Sequence, residues 1–267
     1  GFTDKDVAAD VTFQVHVVAR HTVVLNEDSE TAPSAAEGVN VRVLRTINAG
    51  EWSTICLPFA MTEEQCKAAF GDDVQIADFT GCEATYDEAE ENIVALKVSF
   101  GDVTAMEANR PYIIKVGSDV TEFTVEGVDI SPSDELSVDR DEDSYKRNGK
   151  WYYDYNSFVG IYEAGTEIPE NALFLSGNKF WYSTGLTTMK AFRGYFAFYM
   201  VLSDMTEAEA RISLSFDGGE TTGISQIEDG KLKIENGLYD LQGSRMASSI
   251  LKKGLYVKDG RKVAIEY

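Results

Sequence analysis

Alternation of apolar and polar residues dominates the chain. Val11, Phe13, Val15 and Val17 alternate with Thr12, Gln14 and His16. Val94, Leu96, Val98 and Phe100 do the same around Ala95, Lys97 and Ser99, and Ile212, Leu214 and Phe216 around Ser213 and Ser215. Side chains of a strand point alternately to opposite faces, so each run predicts a half-buried strand. Shorter apolar runs predict further strands at 41–46, 112–116, 123–125, 158–162, 172–175, 180–182 and 192–200. Two segments, Asn148-Gly-Lys-Trp-Tyr152 and Gly177-Asn-Lys-Phe-Trp181, look like similar hairpins, although two instances do not make a repeat. Short strands separated by turn signals imply a mainly β fold of antiparallel, sandwich-like or barrel-like architecture.

Helical periodicity is clear at one place. Thr62-Glu-Glu-Gln65 has the spacing of a capping box, in which the threonine oxygen accepts an orphan amide and Gln65 reaches back. Cys66, Ala69 and Phe70 then form an i, i+3, i+4 apolar face, and Gly71 supplies a stop. The stretch 203–211 reads equally as a helical turn or a loop. The polar, glycine-rich run Asp217-Gly-Gly-Glu-Thr-Thr-Gly223 is the best linker. It divides a sandwich-like region, 1–216, from a small C-terminal β module, 224–267. A second break at Ser131-Pro-Ser-Asp134 allows two halves, 1–131 and 145–216.

The C-terminal module reads as short strands and tight turns. Leu232 and Ile234 alternate with lysines, Asn236-Gly237 follows as a turn, and Leu238-Tyr-Asp-Leu241 is closed by Gln242-Gly243. Gly254-Leu-Tyr-Val257 and Arg261-Lys-Val-Ala-Ile265 flank Asp259-Gly260, a pair suited to the positive φ angles of a type I′ hairpin turn. This pattern resembles the C-terminal module of secreted and surface proteins of the Bacteroidetes, the type IX secretion sorting-domain family. There a Tyr-Asp-Leu-x-Gly strand and turn precede a Lys-Gly-Leu-Tyr strand and a basic hairpin. Ser244 departs from the family, which usually has a basic residue there. A second segment, Asn48-Ala-Gly-Glu-Trp-Ser-Thr-Ile-Cys-Leu-Pro-Phe59, resembles a recurring unit of Bacteroides and Prevotella surface proteins. The likeness continues at Ile168-Pro-Glu-Asn-Ala-Leu-Phe-Leu-Ser-Gly-Asn-Lys-Phe180 and Met189-Lys-Ala-Phe-Arg-Gly-Tyr-Phe196. These resemblances imply a β-rich, extracytoplasmic, secreted or cell-surface protein and assign no activity. Gly1 is read as an expression remnant, with a secretory signal peptide removed.

Charge narrows the partners. The 267 residues hold 45 acidic and 24 basic side chains, a formal net charge of −21. Such a field repels phosphate backbones and anionic lipid, so neither nucleic acid nor a membrane surface is an expected partner. No run approaches the ~18 apolar residues of a transmembrane helix. Cys56, Cys66 and Cys82 lack metal-ligand spacing. They are expected to be buried free thiols, with a Cys56–Cys82 or Cys66–Cys82 disulfide as the alternative.

Catalytic signatures are sparse. There is no Gly-x-Ser-x-Gly elbow, no His-Glu-x-x-His helix and no phosphate-cradling glycine loop. The two histidines, His16 and His21, read as solvated surface residues. A carboxylate pair hydrolysing a glycoside remains an alternative, since that chemistry needs only two acids at the right separation. Glu163, after Phe158-Val-Gly-Ile-Tyr162, comes nearest to an acid in an apolar setting. Asp139, Asp141 and Asp143 have the spacing of the first half of a calcium loop, but its glycine and late glutamate are missing. They read as a solvated acidic loop, and no metal or cofactor is expected.

Aromatic residues concentrate between 145 and 199. On a strand, Trp151, Tyr153 and Tyr155 share one face, and Trp181 follows in the second hairpin. Exposed rings in a row suit sugars, whose C–H faces stack on π-systems while nearby Asp and Asn bond the hydroxyls. Against this stands the reading of the rings as core and cross-strand pairs of a sandwich. The sequence thus leads to a non-catalytic adhesion or binding module, with a glycan or surface protein as partner and Trp151, Tyr153, Tyr155 and Trp181 as ligand residues. A purely structural component of a surface assembly and a glycosidase-like enzyme are the alternatives.

Overall fold

A computed structural model describes residues 21–87, 89, 92–202 and 212–216, together with the backbone of four short strands near the C-terminus. The expected strand at 11–17 with His16, the 203–211 segment, the 217–223 linker and the 232–234 strand lie outside the described residues. The chain divides into two compact units, Gly1–Ile224 and Ser225–Tyr267.

The fold is mainly β, with one short helix. Three sheets make up most of the first unit. In the first, β1 (Thr22–Asn26) runs parallel to β2 (Ala36–Ile47), which pairs antiparallel with β7 (Val120–Ile130). The second contains β3 (Trp52–Cys56), β4 (Gln75–Tyr86), β5 (Ile93–Val103), β6 (Pro111–Lys115) and β15 (Ile212–Phe216), in the order β15-β5-β4-β6-β3. β15 joins it as a parallel edge strand. The third contains β8 (Ser137–Arg147), β9 (Lys150–Ile161), β11 (Leu173–Ser176), β12 (Lys179–Tyr182) and β14 (Arg193–Ala197), in the order β12-β11-β14-β9-β8. A two-residue pair, β10 (Thr166–Glu167) with β13 (Thr188–Met189), closes a connection.

The helix α1 spans Glu63–Phe70, and both arms of its capping box form: Gln65 N donates to Thr62 Oγ1, and Thr62 N donates to Gln65 Oε1. Its buried face is Cys66 and Phe70. Phe70 meets Phe123 of β7 edge-on at 4.7 Å, so the helix covers the first sheet.

The second sheet is buried on both faces along β3 and β6. Ile55, Ile76 and Ile114 enter a core with β1, β2, β7 and α1. Their neighbours Ala77 and Ile113, with Trp52 and Phe79, enter a second core with the third sheet. Burial on both faces explains why Ile55-Cys-Leu-Pro-Phe59 and Pro111-Tyr-Ile-Ile114 read as continuous apolar runs rather than alternating ones. It also corrects the division at Ser131-Pro-Ser-Asp134. Tyr162 and Phe192 belong to the first core and Phe79 and Phe100 to the second, so residues on either side of that connection share both cores. The second core is a phenylalanine cluster. Phe158 and Phe196 stack at 4.2 Å, and Phe79 lies 6.1 Å from Phe196 and 6.0 Å from Phe100. Gly194 is required beside it, because a Cβ there would come within 2.8 Å of the Phe158 ring.

In the second unit, β16 (Leu238–Tyr239), β17 (Arg245–Met246), β18 (Gly254–Lys258) and β19 (Arg261–Ile265) form one sheet in the order β17-β16-β18-β19. The two strands flanking Asp259-Gly260 pair with Lys258 opposite Arg261, the register a two-residue connection dictates.

Candidate binding surface

Three of the four predicted ligand residues lie on an arm made by the outer halves of β8 and β9. β9 pairs with β14 only from Ser157 to Ile161, whereas its pairing with β8 continues to Lys150 opposite Arg147. Residues 143–147 and 150–154 therefore form a two-stranded ribbon, roughly 17 Å long at about 3.3 Å per residue. Asn148 and Gly149 close its tip with φ of 52° and 78°. Both values are positive, as a type I′ turn requires.

Asp141 fixes the arm at its root. The β8–β9 register shifts between Arg140 and Asp143, and Asp141 takes a positive φ of 55° within that bulge. The bulge turns its carboxylate onto the neighbouring sheet, where Oδ2 accepts from Cys82 N at 2.6 Å and from Asn156 Nδ2 at 3.3 Å. β4 has its own register shift between Phe79 and Gly81. A Cβ on Gly81 would stand 3.1 Å from Asp141 Oδ1, so the glycine makes room for the carboxylate. Asp139, Asp141 and Asp143 are exposed, as a solvated acidic stretch implies, but they do not form a loop. All three sit on strand β8, and Asp141 is a structural anchor. Among the described residues, no group of three or more His, Cys, Asp or Glu side chains is placed to hold a metal ion.

Alternation along the arm sorts its rings onto two faces. Trp151, Tyr153 and Tyr155 share the outer face and are 54%, 53% and 37% exposed. Lys146 stands opposite Trp151 and Ser144 opposite Tyr153, and Lys146 Nζ lies 5.9 Å from the centroid of the Trp151 ring. On the other face Tyr145 pairs with Tyr152, their rings stacked at 5.6 Å and 14°. Sequence reasoning did not single out this second pair as a site. The signal was present, because a two-residue turn at 148–149 puts 147 opposite 150 and therefore 145 opposite 152.

Trp181 is separated from the other three. It is 40% exposed on β12, the opposite edge of the sheet, where it faces Phe174 across the hairpin and donates from Nε1 to Ser176 O at 3.1 Å. β12 lies three strands from β9, about 14 Å at the usual strand spacing. Trp181 therefore shares the sheet with the arm but not the ribbon. The β11–β12 turn is tied down. Asn178 Oδ1 accepts from Trp52 N at 2.7 Å, and its Nδ2 donates to Gly50 O at 3.3 Å. Beside that turn is a pocket of about 140 Å³, lined by Asn48, Glu51, Trp52, Ser53, Ser176 and Arg193 among others. That is well below the roughly 300–1,000 Å³ of a typical small-molecule site.

The acids read for catalysis have other surroundings. Glu163 is exposed just beyond β9, and its carbonyl accepts from Thr166 Oγ1 at 2.7 Å. Among the described residues the buried acid is Glu27, which binds Arg193 at 2.6 Å and Lys190 at 3.1 Å. Burial pushes its pKa up, but the two cations outweigh this and hold it below the ordinary value. It lacks the raised pKa of a general acid. Arg45, wholly buried nearby, donates to Phe192 O and Thr54 O, and burial lowers its pKa to about 9. His21 is exposed. Cys56, Cys66 and Cys82 are free and buried, with no disulfide among them. Burial pushes their thiols up to about 12, 11 and 12, against the direction a nucleophile needs.

Compared with family models, curated proteins and solved structures, the chain finds no match in any of the three.

Proposed function

We propose that this is a non-catalytic, extracytoplasmic surface protein that binds a glycan or a surface partner through the outer face of the β8–β9 arm. The observation that carries the proposal is the row Trp151, Tyr153 and Tyr155. These three rings stand on one face of β9, Trp151 and Tyr153 on the projecting ribbon and Tyr155 at its root, each more than a third exposed. Large aromatic side chains bury substantial area when they can, and a row left in water is an unspent contact surface. Lys146, Ser144 and Asp139 supply polar groups around the row. The secreted or cell-surface location rests on the resemblance of the C-terminal strands to a sorting module.

A glycan array probed with wild type and with Trp151→Ala tests the reading. The expected outcome is a set of hits with wild type that the variant loses. An array with no hits, or hits that the variant retains in full, removes the arm as a glycan site.

A further inference from the structure

The inner face of the arm carries a second pattern, independent of the Trp151 row. From tip to root its cross-strand pairs are Arg147–Lys150, Tyr145–Tyr152 and Asp143–Asp154. The sequence of ranks is therefore basic, aromatic, acidic. Two of the three ranks set like charges opposite each other, which weakens an isolated sheet. None of these four charged residues has an ion-pair partner among the described residues. Arg147, Lys150 and Asp143 are exposed and Asp154 is half-buried. The stacked tyrosines between them are 45% and 39% exposed.

We infer that this face docks on the same face of a second copy of the chain. A two-fold axis lying in the interface plane, across the strands and between the two tyrosine stacks, sets Arg147 and Lys150 of each copy against Asp143 and Asp154 of the other. Every contact occurs twice, as a two-fold interface demands. The tyrosine stacks meet at the centre, and both like-charged ranks gain the opposite charges they lack. A merely acidic partner would satisfy the tip and leave the root repelled, whereas a second copy matches both ranks at one spacing. Six side chains per copy fall well short of the roughly 20–30 of a standard interface, so the dimer is weak and reversible. The outer row of Trp151, Tyr153 and Tyr155 remains free, so the inference does not rest on the ligand reading.

Sedimentation velocity of the full chain over a concentration series tests it. Near-physiological salt is the right condition, because body charges are then screened beyond about 8 Å while contact pairs persist. A reversible monomer–dimer equilibrium is expected for wild type. The charge variants Arg147→Glu/Lys150→Glu and Asp143→Lys/Asp154→Lys should each weaken it by about tenfold or more. Mixed in equal amounts, the two should form a heterodimer, since each supplies the sign the other lost. Tyr152→Ala, which alters no charge, should weaken the dimer as well, and it serves if one charge variant does not fold. A wild type that stays monomeric throughout overturns the inference. Variants that dimerise like wild type, or a mixture no more associated than its components, overturn it too. Trp151→Ala should dimerise normally, which separates this test from the glycan array.

Discussion

The β8–β9 and β11–β12 hairpins begin from the same chemistry. Each turns on an asparagine and a glycine with both φ angles positive, and each continues with a lysine and two aromatic residues, Lys150-Trp-Tyr152 and Lys179-Phe-Trp181. Their settings then diverge. The second hairpin lies in the sheet with β14 alongside, buries Phe180 against Phe196 at 5.4 Å, and has its turn clamped by Asn178 to Trp52 and Gly50. The first loses its inner neighbour where β9 parts from β14 at Ser157, and beyond Asp141 it stands in solvent with rings on both faces. The turn type and the residues that follow the turn are therefore alike, and what differs is whether another sheet faces the ribbon. Packing is concentrated in one hairpin, and the proposed recognition surface falls on the other.

The sharpest test of that division is Phe180→Ala. Removing a buried ring from the edge of the phenylalanine cluster should cost about 3–5 kcal/mol, read as a lower midpoint in chemical denaturation. An effect below about 1 kcal/mol would mean that the second hairpin is no more integral to the core than the arm.

Much of the second hairpin's setting was legible in the chain. Phe158 and Phe180 open the short apolar runs 158–162 and 180–182, and the capping box of Thr62 and Gln65 marks its helix from four consecutive residues. Local periodicity suffices in such cases, because the determining contacts lie within one turn or one strand. The arm was legible only in part. Trp151, Tyr153 and Tyr155 share a face whether that face is core or solvent, so alternation could not decide exposure. The separation of Trp181 from them depends on strand order, which β14 sets by inserting between β9 and β11. Asp141 was misread for a similar reason, since its partner Cys82 is 59 residues away. The parallel pairings of β1 with β2 and of β15 with β5 leave no local trace either.

Asp141→Ala addresses the junction between the two regimes. It strips a charged acceptor from the buried Cys82 amide and should cost about 1–3 kcal/mol. Hydrogen exchange should quicken at Cys82 and along residues 143–154 while the β11–β12 amides keep their protection. Uniform quickening across both hairpins would show that the arm is not separately anchored.

Acid provides a milder perturbation, and its buried target in the body is Glu27. Glu27 has a folded pKa held below its ordinary value by Arg193 and Lys190, so its stabilising contribution is full above the unfolded pKa of about 4.3 and is lost as pH falls through the folded value. Stability should decline over that acidic window, and Glu27→Gln should flatten the decline. Arg193 opens β14, so the loss should appear in the β14–β9 pairing before the arm beyond Asp141 responds. A decline unchanged by Glu27→Gln would assign the acid sensitivity to other carboxylates.

The smallest expected effect on stability belongs to Trp151→Ala, and the comparison depends on it most. The ring is more than half exposed, belongs to neither core cluster, and has Lys146 Nζ over it at 5.9 Å. A cation–π contact at such an exposed site contributes about 0.5–1 kcal/mol, and loss of the unfavourable hydration of the indole acts in the opposite direction. The denaturation midpoint should therefore move by no more than about 0.5 kcal/mol in either direction. On the proposed reading, the same variant should lose glycan binding while its stability stays close to that of wild type. If the substitution instead destabilises the protein as Phe180→Ala does, the ring is packing in solution, and the arm folds back onto the body.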